Sequence, residues 1–141
     1  MDQTLVKLNY KEGQTIYVLN SPEAFEAVLV TVSPEILIKK EISQNAEVEF
    51  VIAFAMSKDE LNAFARQIVP TLKGDAILWL AYPKGSSKKY KCDFNRDTSW
   101  QAFTPFNLMP VRQISIDDDW SALRFRKAEF IKSVTRKDML A

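Results

Sequence analysis

The sequence predicts an α/β protein, a single Rossmann-like three-layer domain over residues 1–141 with a mostly parallel sheet and a C-terminal antiparallel hairpin. Three observations carry this. Three continuous apolar runs, Thr15–Leu19, Glu49–Ala55 and Ala76–Tyr82, are too short for most helices and lack alternation, as strands buried on both faces do. Two of them lead directly into helix-start signals. The last third of the chain alternates apolar and polar residues on either side of Asp117-Asp118-Asp119, the pattern of a hairpin.

Each element follows from its residues. After the first run, Ser21 is a plausible N-cap and Pro22 a first helical residue, with Phe25, Val28, Leu29 and Val32 at helical spacing. After the second, Ser57-Lys58-Asp59-Glu60 has the form of a capping box, followed by Leu61, Phe64, Ala65, Ile68 and Leu72 on one face. Pro70 should kink or end that helix, and Gly74 reads as its stop. Asp97 is a candidate cap for a short helix carrying Trp100 and Phe103. Ile36–Lys39 reads as a weaker edge strand, and Val111–Asp117 with Trp120–Ala128 as the hairpin. The expected strand order is 2-1-3-4-6-5, with only the sixth strand antiparallel. Lys40–Glu47 must then return without a helix, and a local antiparallel hairpin there is the competing reading.

Composition removes whole classes of chemistry. With no histidine and one cysteine, Cys92, the chain cannot build a Ser-His-Asp or Cys-His nucleophile or a Cys/His zinc site. Gly13, Gly74 and Gly85 lie too far apart for a dinucleotide fingerprint or a P-loop. The first ten residues lack a signal peptide's apolar stretch, and no apolar run approaches the ~20 residues of a membrane span, so a cytoplasmic location and no membrane partner are expected. A net charge of +1 divides unevenly: residues 1–83 hold 7 basic and 11 acidic side chains, and residues 84–141 hold 12 and 7.

Ligands of open parallel sheets favour the carboxyl ends of the strands, where helix N-termini present amides. The expected topology brings Asn20, Ser21, Ser57, Tyr82, Lys84, Arg96, Asp118, Trp120 and Ser121 to that edge as candidate ligand-binding residues. Hydroxyls, two cations and two aromatic surfaces suit an anion attached to a flat or apolar group. Trp120 is expected to pack beside Tyr82. Simple capping competes for Ser21 and Ser57, and a solvated edge strand competes for the Lys88–Phe94 segment, where Tyr90, Cys92 and Phe94 alternate with charges. Asp117–Asp119 reads as an acidic turn rather than a metal loop. Arg124 and Arg126 share a strand face and suit either a phosphate or carboxylate, or acidic side chains of this chain.

These readings favour a non-catalytic module that recognises a small anionic ligand or an acidic protein segment. Neither a cofactor nor a metal is expected, nor is nucleic acid as a partner, and the oligomeric state is left open. The alternatives are a reduced transferase-like enzyme, with Asp118 or Asp97 for proton transfer, and a structural assembly subunit.

Residues Ile77–Gly85 (ILWLAYPKG), Phe94–Thr98 (FNRDT) and Ile116–Phe125 (IDDDWSALRF), with Val18–Phe25 more loosely, resemble a family of small bacterial proteins known as a domain of unknown function. Trp120-Ser121 and its flanks are the most specific part. That resemblance implies a coherent fold and no particular reaction. The strand–helix order with a closing antiparallel hairpin also resembles a reduced S-adenosylmethionine-dependent methyltransferase sheet. Those enzymes place a glycine-rich loop after the first strand, where this chain has Leu19-Asn20-Ser21-Pro22, so the resemblance transfers no cofactor-binding residue.

Overall fold

The computed structural model describes residues 3–11, 13–32, 34–94 and 100–131. Its elements in chain order are α1 (Gln3–Lys7), β1 (Ile16–Leu19), α2 (Glu23–Leu29), β2 (Ile38–Lys39), β3 (Val48–Phe54), α3 (Lys58–Ile68), β4 (Leu72–Pro83), β5 (Leu108–Ser115) and β6 (Trp120–Lys127). The six strands form one sheet in the order β2-β1-β3-β4-β6-β5. β2 and β3 both pair parallel to β1, and β4 pairs parallel to β3. β6 runs antiparallel to both β4 and β5. This is the topology expected from the sequence, and the parallel pairing of β2 and β3 with β1 rules out the competing hairpin.

Burial explains the unalternated runs. Ile16, Val18, Val51, Ile52, Leu78 and Leu80 are at most 1% exposed, because both faces of the sheet are covered. One apolar cluster joins Tyr17, Leu19, Val51, Ala53, Leu78 and Leu80 to Leu61, Ala65 and Ile68 of α3. The other joins Val18, Phe50, Ile52, Phe54 and Trp79 to residues of α1, α2 and the segment after α1, among them Leu5, Leu8, Phe25 and Leu29.

Several boundaries differ from the sequence reading. Pro22, not Ser21, holds the N-cap position of α2 and has no side-chain acceptor to cap it, while the Ser21 hydroxyl donates to Glu26. Pro70 ends α3 early: the helix stops at Ile68 and tightens into a 3₁₀ turn at Val69–Thr71. Gly74 therefore caps nothing. It lies within β4 with φ 55°, at the amino end of a strand that is longer than its apolar run. Trp100–Ala102 and Thr104–Phe106 are 3₁₀ turns in place of the expected short helix, and its proposed cap, Asp97, lies outside the described residues. Helix α1 was not expected. It is fixed by burial of Leu5, and the adjoining Leu8 carbonyl accepts the indole N–H of Trp79 at 2.8 Å.

Candidate functional site

β1, β3 and β4 end at one edge of the sheet, and β6 begins there, with Pro83 opposite Trp120. The turn after β1 is held by Asn20, which takes a left-handed conformation at φ 59°. Its Nδ2 donates to the Phe54 carbonyl at 2.8 Å and to Glu60 Oε2 at 3.1 Å. Glu26, which accepts from Ser21, also pairs with Lys40, and that ammonium holds its carboxyl below the usual range.

At the start of α3, Ser57 Oγ accepts from the Glu60 amide at 3.1 Å, as a capping residue should. Glu60 reaches back to the Met56 amide at 2.8 Å. The amide of Lys58 donates to Asp93 Oδ1 at 2.7 Å, an acceptor 35 residues away. Two carboxylates of the chain thus stand at the positive end of α3, the position an external anion was expected to take.

The segment after β4 supplies Asp93 and crosses the edge. Tyr90 packs on Trp120 with ring centroids 5.0 Å apart, within the apolar layer of α1 and α2. Phe94 packs on Tyr82 at 5.8 Å, within the layer of α3. No strand forms over Lys88–Phe94, in contrast to the edge strand expected there. The aromatics alternate because the segment straddles the sheet, with each ring entering a different layer. Cys92 is half-buried against the α3 side, and burial pushes its thiol up from the usual range.

The segment is also tied to the acidic turn. The Lys84 amide donates to the Asp119 carbonyl at 2.8 Å, Lys84 Nζ to Ser115 Oγ at 2.7 Å, and Ser87 Oγ to Asp119 Oδ1 at 2.8 Å. Asp117 Oδ1 accepts from the amides of Asp119 and Trp120, both at 2.8 Å, closing the turn on itself. Asp118 is exposed and has no partner among the described residues.

The candidates therefore separate into two groups. Asn20 and Asp118 are exposed, and Ser21, Ser57 and Lys84 are half-buried at the edge. Tyr82, Trp120 and Ser121 are buried beneath it. Trp120 does not pack beside Tyr82: the register pairs Tyr82 with Ser121, so Tyr82 and Trp120 project from opposite faces, and Trp120 lies against Phe54 at 5.2 Å. Arg96 lies outside the described residues. Arg126 forms a bidentate pair with Asp75, at 2.8 and 2.6 Å, while the buried Nε of Arg124 has no hydrogen-bond partner among the described residues.

The capping box foretold Glu60 at the start of α3, but sequence reasoning missed its bond to Asn20, the role of Asp93 and two cavities. One of about 250 Å³, lined by Tyr17, Lys39, Glu41, Ile42, Ser43 and Ala46, borders the end of β2. The other, of about 480 Å³, lies at the opposite edge among Val69, Leu72, Phe106, Leu108 and Lys127. Among the described residues no helix is long and apolar enough to cross a membrane.

No protein-family model matches the chain, and no curated protein matches it in sequence. Solved structures do share its fold. A SAM-dependent methyltransferase from Aquifex aeolicus superposes with a TM-score of 0.60 at 12% identity, over 89% of this chain and 88% of that one. A ribosomal protein L11 methylase from Lactobacillus delbrueckii subsp. bulgaricus gives 0.54 at 10% identity, over 88% and 77%. The [4+2]-cyclase SpnF gives 0.55 at 9% identity, over 89% and 78%. The chain thus has a Rossmann-like α/β fold of the kind seen in methyltransferases. The cyclase among its neighbours shows that the same frame serves other reactions.

Proposed function

We propose that this chain is a reduced transferase-like enzyme that takes its substrate at the carboxyl edge of the sheet. The observation that supports this is the strand order with its antiparallel β6, in a fold shared with methyltransferase structures over nearly nine-tenths of the chain. In that order the loops after β1, β3 and β4 and the acidic turn before β6 converge on one edge. Ser21, Lys84 and Asp118 are the groups there that a polar substrate would meet, and the exposed Asp118 is the carboxylate we assign to proton transfer.

The S-adenosylmethionine named for the methyltransferase neighbour does not fit the first turn of this chain. A cofactor approaching the backbone there needs glycine, whereas Asn20 fills the turn and commits its amide to Phe54 and Glu60.

Calorimetric titration with nucleotides, sugar phosphates, dicarboxylates and S-adenosylhomocysteine tests the reading. One of the first three classes should bind, and Asp118→Asn should retain that binding while abolishing conversion of the ligand. If none of the first three binds, the reading is wrong.

A second reading, a non-catalytic module for an anionic ligand or acidic protein segment, is favoured by the exposure of Lys88, Lys89 and Lys91 on the segment after β4. Binding of an acidic peptide at low salt, with no turnover of any small ligand, would select it.

A further inference from the structure

Away from the carboxyl edge, the pairing of β5 with β6 sets Arg112 directly opposite Arg124. Like charges at facing positions of an antiparallel pair repel. Arg126 lies two residues along β6 from Arg124 and so on the same face. The face is floored by Trp79, the β4 partner of Arg124, which is fully buried and fixed through its bond to the Leu8 carbonyl.

Compensation is incomplete. Asp75 takes Arg126 in a two-pronged pair and is the one carboxylate bonded to this group among the described residues. Arg112 is exposed, and the Nε of Arg124 is buried without a hydrogen-bond partner. Three guanidiniums against one carboxylate leave an excess of two positive charges beside an unused, inward-set donor.

We propose that Arg112 and Arg124, flanked by Arg126, form a binding site for a phosphate group. A phosphate monoester carries about −1.5 to −2 near neutral pH and offers three acceptor oxygens, which matches both the excess charge and the forked donors. A carboxylate would neutralise half of that excess. Burial holds the Arg124 guanidinium below its usual range, with Arg126 and Arg112 acting in the same direction and Asp75 opposing them, so an anion placed there would add to the opposing attraction. The site is separate from the carboxyl edge and does not depend on the reading given to that edge.

Thermal unfolding and calorimetry at low salt, with inorganic phosphate and with glycerol phosphate at matched ionic strength, test this. Both should raise the melting temperature above that in chloride or acetate, the inorganic ion identifying a free-phosphate site and a larger response to the ester a metabolite site. Arg112→Gln, at an exposed position that does not threaten folding, should weaken binding roughly tenfold to a hundredfold, the range of one charge-assisted hydrogen bond. Arg124→Gln should weaken it further, and Lys84→Glu at the edge should leave it unchanged. A wild-type response to phosphate no greater than to acetate, an undiminished response in Arg112→Gln, or a loss confined to Lys84→Glu overturns the proposal.

Discussion

Asn20 and Phe54 are joined across the top of the sheet: the Asn20 amide donates to the Phe54 carbonyl at 2.8 Å and so locks the turn after β1 to the end of β3. The same side chain reaches Glu60, tying the turn to α3 as well. In a fold whose ligands favour this edge, the first turn is held shut by a side chain of the chain itself.

Replacing Asn20 should measure that lock. Asn20→Ala removes both bonds and leaves a Cβ-bearing residue at φ 59°, so a loss of about 2–3 kcal/mol is expected, combining ~1 for the bonding with ~1–2 for the left-handed backbone. Asn20→Gly keeps the backbone free and should lose about 1 kcal/mol. Urea denaturation of the two variants separates the contributions, and equal losses would contradict the assignment.

Trp120 stands under the acidic turn at 2% exposure, between Phe54 and Tyr90. Trp120→Ala should destabilise the protein by about 3–5 kcal/mol, the range for emptying a buried aromatic site. An unchanged unfolding midpoint would mean that the ring is not part of the core.

The strands were the most legible part of the sequence. Runs such as Glu49–Ala55 are buried on both faces, so composition alone marks them, and Ser57 with Glu60 announces the start of α3 locally. Helix α1 was invisible because a helix of five residues shows too little periodicity, and its stability comes from Leu5 and Leu8 reaching the sheet. The faces of Tyr82 and Trp120 were misjudged because a one-residue change in register exchanges them, and the register is set by the pairing of Pro83 with Trp120. Asn20, Ser21, Lys84 and Asp118 lie beside the strand ends as the expected topology requires. The closure of the α3 terminus by Asp93 was not foreseen, since a contact spanning 35 residues leaves no local pattern.

That closure makes its own prediction. Asp93→Ala deprives the Lys58 amide of its acceptor and should destabilise the protein by about 0.5–2 kcal/mol, as loss of a capping group does. Slowed or unchanged amide exchange at Lys58 in the variant would argue against the bond, and faster exchange is expected.

The Asp75–Arg126 pair sets an acid dependence. The Arg126 guanidinium holds the Asp75 carboxyl below its usual range, with burial opposing and the charges of Arg126, Arg124 and Lys11 assisting. A carboxyl lowered in the folded state contributes stability that is fully present above its unfolded pKa and is lost as pH falls through its folded value. The difference in stability between wild type and Asp75→Asn should therefore be constant near neutral pH and shrink below the ordinary carboxylate range. A difference that grows on acidification would contradict the pairing.

In the function we propose, a transferase-like sheet takes its substrate at the carboxyl edge while its first turn stays closed. The most direct test is the set of amide chemical shifts of a nitrogen-15-labelled chain titrated with the ligand panel and with S-adenosylhomocysteine. Saturable changes are expected at Ser21, Lys84, Asp118 and their neighbours for a member of the panel, with no saturable change at Asn20 for S-adenosylhomocysteine. Changes confined to the cavity around Val69 and Leu72, or saturable binding of S-adenosylhomocysteine at the Asn20 turn, would contradict it.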